Sequence, residues 1–329
     1  MKAGPPGAVR TARWRQAVVA VLLVAASAAV AQPSKPIRFI MAAPAGSSID
    51  VLGRILAERM RETLEQSVVV ENAPAAGGTV ATAAVARAPA DGQTLGIAFN
   101  GPLAFAPYLY TRLGYDPRKD LQPIILTTSQ PNVLAVAARV PAQSVSELID
   151  HARSQRGKLA YASVGNGSSS HLTMELFKSV AGIEAVHVPF NGSPPALNAL
   201  ASGDAQMIFA VPTAIAPLAQ AGKVRMLAVT SPRRWPLTPD LPAVAESGLP
   251  GFESFAWNGV IAPAGLAAER VARLNRLLDR VLHDPAVKGR LKAVGLEPAG
   301  GSAAEFAELI HAEGRKWEPV IRRTGVRID

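Results

Sequence analysis

From Lys35 onward the chain repeats one pattern: a short apolar run, a loop of small polar residues, then a stretch whose apolar residues fall on one helical face. This alternation leaves few architectures open, because strands separated by helices pair in parallel and need helices to cover their faces. IRFIMAA (37–43) reads as a buried strand and PAGSS as a loop. IDVLGRILAERMRETL then sets Val51, Leu52, Ile55, Leu56 and Met60 on one side of a helix. Ser48 is expected to cap that helix, with Asp50 in its first turn favoured by the helix dipole. SVVVEN (67–72) is the next strand, and AAGGTVATAAVARAPADG supplies a loop and a short helix of small residues. TLGIAFN (94–100) follows as a third strand running into GPLAFAP. The result is a βαβαβ half-unit of a doubly wound sheet.

A second set begins near Asn132. VLAVAA is a strand, and SVSELIDHARSQ opens with Ser144 and Glu147 in capping-box spacing. Strands are expected at KLAYASV (158–164), AVHVPF (185–190), AQMIFAV (205–211) and VRMLAVTS, with helices between them. After Ser231 a segment rich in Pro and Gly, SPRRWPLTPDLPAVAESGLPGFE, reads as a crossing between lobes. WNGVIAPAG is one more strand, and three helical patterns that return to the first lobe close the chain. A length of 329 residues exceeds what one compact core usually organises, which agrees with two lobes.

The first thirty-one residues stand apart. Lys2, Arg10, Arg13 and Arg15 precede the apolar run AVVAVLLVAASAA and then the small residues AVA, the layout of a secretory signal peptide cleaved after Ala31. The apolar run is shorter than the ~20 residues a membrane-spanning helix needs. Loss of the leader's four basic residues lowers the formal charge from +9 to +5, with no basic stripe interleaved with aromatics, so nucleic acid is not an expected partner. The absence of cysteine removes disulfides, thiolate nucleophiles and Cys-based metal sites together. The five histidines show no metal-binding spacing.

In open α/β sheets, ligands bind where strands end and helices begin. Four such ends here carry small polar loops: PAGSS (44–48), NGP (100–102), GNGSSS (165–170) and NGS (191–193). Gly, Ser and Asn are also ordinary turn residues, but four such loops at equivalent places suggest a shared role. None contains Lys or Arg. An anion could still be held by backbone N–H groups, Ser hydroxyls and Asn side chains. Nucleophile-elbow, P-loop and dinucleotide signatures are not met: Gly167 stands where the elbow needs its serine, no lysine follows the glycines, and Ser170 takes the place of the third glycine. A secreted hydrolase using Ser168, Ser169 or Ser170 with His171 stays open, although neighbours at a helix start rarely point at each other. His171 could cap its helix or face the cleft, and His187 reads as a strand residue. Phe190 could form a cleft wall or pack in the core, and Trp257 reads as packing.

In order along the chain, PSKPIRFIMAAPAGSSID, VVVENAPAAGGTVA, ADGQTLGIAFNGPLAFAPYLY, GKLAYASVGNGSSSHLTMELFK, VHVPFNGSPPAL and AGKVRMLAVTSPRR resemble the Bug family of periplasmic solute-binding receptors, which serve tripartite tricarboxylate transporters. The resemblance implies a two-lobed flytrap fold of the type II periplasmic-binding kind, each lobe a mainly parallel sheet flanked by helices. Lobe 1 would comprise residues 32–131 plus 254–329, and lobe 2 residues 132–253. It implies a periplasmic monomer that performs no catalysis, needs no cofactor or metal, and hands a small carboxylated solute to a membrane permease; a sensor kinase is the alternative recipient. The ligand-gripping loop would be Pro44, Ala45, Gly46, Ser47, Ser48 and Asp50, flanked by Asn100 and Gly101. The opposing lobe would add Gly165, Asn166, Gly167, Ser168, Ser169 and His171, with Phe190, Asn191, Gly192 and Ser193. Ser47 and Ser48 depart from the family's longer glycine run, and AVPTA (210–214) stands where a more polar segment is common, which implies a less polar distal group on the solute.

Overall fold

The computed structural model describes residues 35–294 and 296–328, so the leader expected over 1–31 and its cleavage after Ala31 lie outside the described residues. Four strands open the chain: β1 (Ile37–Met41), β2 (Val68–Asn72), β3 (Thr94–Phe99) and β4 (Leu121–Pro131). Five more follow: β5 (Val133–Ala137), β6 (Ala160–Ser163), β7 (Val186–Pro189), β8 (Met207–Ala210) and β9 (Val224–Val229). The last, β10 (Phe255–Pro263), returns to the first group. One sheet runs β2-β1-β3-β10-β4 and the other β7-β6-β8-β5-β9. In the first, β1 is parallel to β2 and β3, while β10 is antiparallel to both β3 and β4. In the second, β6 is parallel to β7 and β8, while β5 is antiparallel to both β8 and β9. Each sheet thus has one reversed strand in the same place, and the two lobes share a plan.

The chain passes between sheets twice. Pro131 ends β4 and Val133 begins β5, so Asn132 alone spans the first crossing; the second runs from Val229 to Phe255. The two crossings are tied together. Asn132 N–H donates to Thr230 Oγ1 at 2.8 Å, Thr230 N–H to the Asn132 carbonyl at 2.9 Å, and Ser254 N–H to the Thr230 carbonyl at 3.0 Å. Strand β4 has no counterpart in the sequence reading, which left residues 121–131 without a strand. Pro123 and Pro131 interrupt its pattern, and they are tolerated because β4 is the outermost strand of its sheet, its outer side backbone-bonded, among the described residues, only over 126–129, to residues 297–300.

Helices follow strands as the periodicity implies: α1 (Ser48–Leu64) after β1, α2 (Thr79–Ala86) after β2, and the short α3 (Ala106–Leu109) beyond β3. In the second lobe come α4 (Val145–Gln155), α5 (Ser169–Ala181) after β6, α6 (Ser193–Ser202) after β7 and α7 (Pro212–Gln220) after β8. Helix α1 buries Leu52, Ile55, Leu56 and Met60 against Phe39 and Met41 of β1. Truncating fully buried Leu56 to Ala is expected to cost about 2–5 kcal/mol. The C-terminal helices α8 (Ala268–His283), α9 (Pro285–Ala293) and α10 (Ala303–Thr324) pack on the first sheet, where Phe306 of α10 meets Trp257 of β10 edge to face at 5.8 Å.

Candidate functional site

The C-terminal ends of β1, β2 and β3 and those of β6, β7 and β8 open onto one cavity of about 450 Å³. Six strand-to-helix loops line it, three from each lobe, as expected of ligand sites in open α/β sheets. The lobes meet at its rim. A Cβ added to Gly77 would lie 2.6 Å from the carbonyl oxygen of Asn166, and one added to Gly101 would lie 2.7 Å from that of Gly167. Both approaches need a residue without a side chain.

Two of the loops are built alike. At the start of α1, Ser47 is the N-cap in place of the expected Ser48: its backbone is extended (φ −71°, ψ 163°) and its Oγ accepts from the N–H of Asp50 at 3.2 Å. Asp50 turns back, and its Oδ2 accepts from the N–H of Gly46 at 2.9 Å. At the start of α5, Ser168 (φ −74°, ψ 164°) caps by accepting from the N–H of His171 at 3.2 Å, and His171 Nδ1 accepts from the N–H of Gly167 at 3.1 Å. Gly46 (φ +78°) and Gly167 (φ +70°) take the left-handed turn that places their N–H groups under the following helix. The remaining first-turn N–H groups, those of Ser48, Ile49, Ser169 and Ser170, have no acceptor among the described residues, and all four residues line the cavity. Two helix N-termini therefore present unpaired donors and positive dipole ends to one space.

Of the residues singled out from sequence, Pro44, Ser47, Ser48, Asn100, Gly165, Asn166, Ser168, Ser169, Phe190, Asn191, Gly192 and Ser193 line the cavity. Six do not: Ala45, Gly46, Asp50, Gly101, Gly167 and His171. Asp50 is 3% exposed and faces Arg54 Nε at 3.0 Å and Asn72 Nδ2 at 2.9 Å as well as Gly46. Burial opposes its ionisation, but the hydrogen bonds from Arg54, Gly46 and Asn72 outweigh it and hold the carboxyl below its usual range. Gly101 and Gly167 instead meet each other at the rim. The sequence reading missed Pro74 and the loop 76–78, Tyr110, and Gln130, Asn132 and Asn258 at the crossings, together with Leu296 and Ile328 from the C-terminal segment. The glycine pair 77–78 was the available signal for the second of these loops. The others come from distant parts of the chain without a local motif.

Beneath the second loop lies a buried polar stack. His171 and His187 are parallel with centroids 3.9 Å apart, and Tyr161 stacks on His187 at 4.8 Å. Ser163 Oγ bonds His187 Nε2 at 2.7 Å, and the Tyr161 hydroxyl donates to Glu175 at 2.5 Å, which also pairs with Lys178 at 2.6 Å. Burial, with the neighbouring His187 and Lys178, pushes His171 down to about 3; burial likewise pushes His187 down to about 4, against the pull of Glu175. Both imidazoles are neutral at neutral pH. The hydroxyls of Ser168 and Ser170 donate to the carbonyls of Gly165 (2.7 Å) and Phe209 (2.5 Å), so neither is aimed at an imidazole as a nucleophile would be. The Ser163–His187 pair does have that contact, but Ser163 is wholly buried and lies outside the cavity lining.

Two like-built lobes, joined by paired crossings and closing over a cavity at their strand ends, define a two-lobed solute-binding protein. The chain belongs to the tripartite tricarboxylate transporter family of receptors (TctC), whose model matches residues 52–326. A UPF0065 protein from the tcbD-tcbE intergenic region of Pseudomonas sp. (strain P51) is 37% identical over 290 residues, 88% of this chain and 86% of the relative. An R. palustris protein solved with adipate superposes with a TM-score of 0.83 at 37% identity, covering 89% of this chain and 98% of that one. The periplasmic binding protein BugD superposes with a TM-score of 0.81 at 32% identity, covering 90% and 99%. The family is one of receptors, not enzymes.

Proposed function

We propose that the protein is a periplasmic receptor that clasps a small carboxylated solute between its lobes and delivers it to a membrane permease of the tripartite tricarboxylate type. One observation carries this reading: the unpaired N–H groups of Ser48, Ile49, Ser169 and Ser170 face one cavity in which, among the described residues, no charged side chain competes for them. A carboxylate there gains charge-assisted hydrogen bonds from both lobes at once, so its binding favours the closed arrangement. Ser47, Ser48, Asn100, Asn166, Ser168, Ser169, Asn191 and Ser193 are the proposed polar contacts, with Pro44, Gly165, Phe190 and Gly192 shaping the walls. Ala45, Gly46, Asp50, Gly101, Gly167 and His171 hold the loops in place. The crossings at Asn132 and Thr230–Ser254 serve as the hinge.

The adipate-bound neighbour supports the ligand class, and BugD, described as periplasmic, supports the compartment. Native mass spectrometry of freshly purified protein, followed by thermal melts with any acid found and its carboxamide, tests the reading. The acid is expected to raise Tm, equivalent to about 2.7 kcal/mol at a hundred times Kd, and the carboxamide to do much less. Equal stabilisation by both would refute it.

A further inference from the structure

Gln130, in the last turn of chain before the first crossing, lines the cavity yet is only 4% exposed. Its Oε1 accepts from the backbone N–H of Glu297 at 3.0 Å. A backbone N–H can only donate, so the amide is fixed with its NH2 end free. Nε2 has no acceptor among the described residues, and unlike the enclosed, unpaired Nδ2 of Asn132 it stays open to the cavity. Resting on the carboxylate reading above, we infer that Gln130 Nε2 donates to a second oxygen of the solute, a hydroxyl or carboxylate oxygen remote from the gripped carboxylate.

Position separates this contact from the first. In the order β2-β1-β3-β10-β4 the strand of Gln130 lies three places from β1, about 14 Å at ordinary strand spacing. The part of a solute above Gln130 is therefore not the carboxylate held at the start of α1. Nothing nearby occupies the amide. Across the β4–β10 pair Gln130 faces Ala256, which lines the cavity and has no polar side-chain atom. Asn100 and Asn258 spend their Nδ2 atoms on the Phe255 carbonyl at 3.0 Å and Thr128 Oγ1 at 2.8 Å, so they do not compete as donors. Phe99, Ala210, Val211 and Leu296 add apolar wall, and the segment 210–214 thus leaves the reading of the solute's far end to the crossing. A buried donor without a partner is costly, and a solute oxygen relieves that cost where a methyl group does not.

Titration calorimetry on protein dialysed free of bound solute tests this with butanoate and hexanoate, each beside its ω-hydroxy acid and its diacid, succinate or adipate. At one chain length at least, an oxygen at the far end is expected to tighten binding about fivefold or more over the plain acid. A gain confined to the hydroxy acid identifies the second oxygen as a hydroxyl, and a gain confined to the diacid as a carboxylate. Gln130→Met, similar in length but without a donor, is expected to erase the gain, while its binding of the plain acid shows that the site is intact. Gln130→Glu keeps an acceptor for the Glu297 N–H and puts an oxygen where the NH2 was, so it is expected to reverse any gain of a diacid. No gain at either length in the wild type, or a gain kept in Gln130→Met, overturns this inference and leaves the carboxylate reading intact. Failure of all six acids to bind overturns the carboxylate reading, and this inference with it.

Discussion

Gly167 donates its backbone N–H to Nδ1 of His171 at 3.1 Å, and in the other lobe Gly46 makes the same bond to Oδ2 of Asp50 at 2.9 Å. An imidazole and a carboxylate thus perform one task, accepting the N–H of the residue before a serine cap so that the first-turn donors stay directed at the cavity. Asp50→Leu and His171→Leu remove the acceptor and leave that N–H unpaired. Each is expected to weaken solute binding about five- to tenfold, corresponding to a lost hydrogen bond of about 1–1.4 kcal/mol. Asp50→Asn keeps an acceptor oxygen for Gly46 and is expected to bind close to wild type in calorimetry. Equal losses in Asp50→Asn and Asp50→Leu would show that the charge, and not the acceptor, matters.

The stacked histidines make stability depend on pH. Below the ordinary imidazole value of 6.5 the unfolded chain takes up protons at both positions, while the fold keeps His187 neutral to about 4 and His171 to about 3. The unfolded state therefore binds more protons in that window, and stability rises with pH across it, is fully present above 6.5, and is lost as pH falls towards 4 and 3. Urea unfolding between pH 7 and pH 4.5 is expected to show a falling free energy, with a limiting slope of about 1.4 kcal/mol per pH unit for each imidazole. The double variant His171→Gln, His187→Gln is expected to flatten that slope.

Much of this architecture was legible in the chain. Apolar runs bounded by Gly, Ser and Asn marked nine of the ten strands, and the loops after β1, β3, β6 and β7 were readable as one group of small polar turns. Strand β4 escaped because Pro123 and Pro131 break its pattern, which only its edge position permits. Asp50 and His171 could be recognised as polar residues at helix starts. Whether they face the cleft or turn back depends on the left-handed glycines at 46 and 167, which composition alone does not specify. Gln130, Asn132, Asn258, Tyr110 and Ile328 reach the cavity through long-range packing, and no local pattern announces that.

Gly77 sits at left-handed φ (+60°) where a Cβ would press on the Asn166 carbonyl of the facing lobe, whereas Gly46, also left-handed, has open space around it. Alanine at either position is expected to cost about 1–2 kcal/mol of unfolding free energy from backbone strain. Only Gly77→Ala also obstructs closure, so it alone is expected to reduce solute affinity by tenfold or more. Small-angle scattering with and without solute provides the check: Gly77→Ala should show less compaction on binding than Gly46→Ala.

Asn132, at the first crossing, is 1% exposed, and its Nδ2 has no hydrogen-bond partner. A buried donor left unpaired costs about 1–3 kcal/mol, and leucine keeps asparagine's branched outline without the amide. Asn132→Leu is therefore expected to leave the ligand-free protein as stable as wild type or more stable by about 1 kcal/mol, measured by urea unfolding. A loss of more than about 1 kcal/mol would mean that the amide is already satisfied.

The grip itself is best tested by removing its donors one at a time. Ser48 and Ser169 are the first helical residues after caps whose backbones, near φ −71°, ψ 163° and φ −74°, ψ 164°, already suit a following proline. Ser48→Pro and Ser169→Pro should therefore each delete one cavity-facing N–H, and a hydroxyl with it, without disturbing the helix start; Ser48→Ala and Ser169→Ala control for the hydroxyl. Calorimetry with the co-purified acid is expected to show each proline variant binding at least fivefold more weakly than its alanine control, with unchanged ligand-free Tm. A double proline variant that binds like the double alanine control would contradict main-chain capture of the solute.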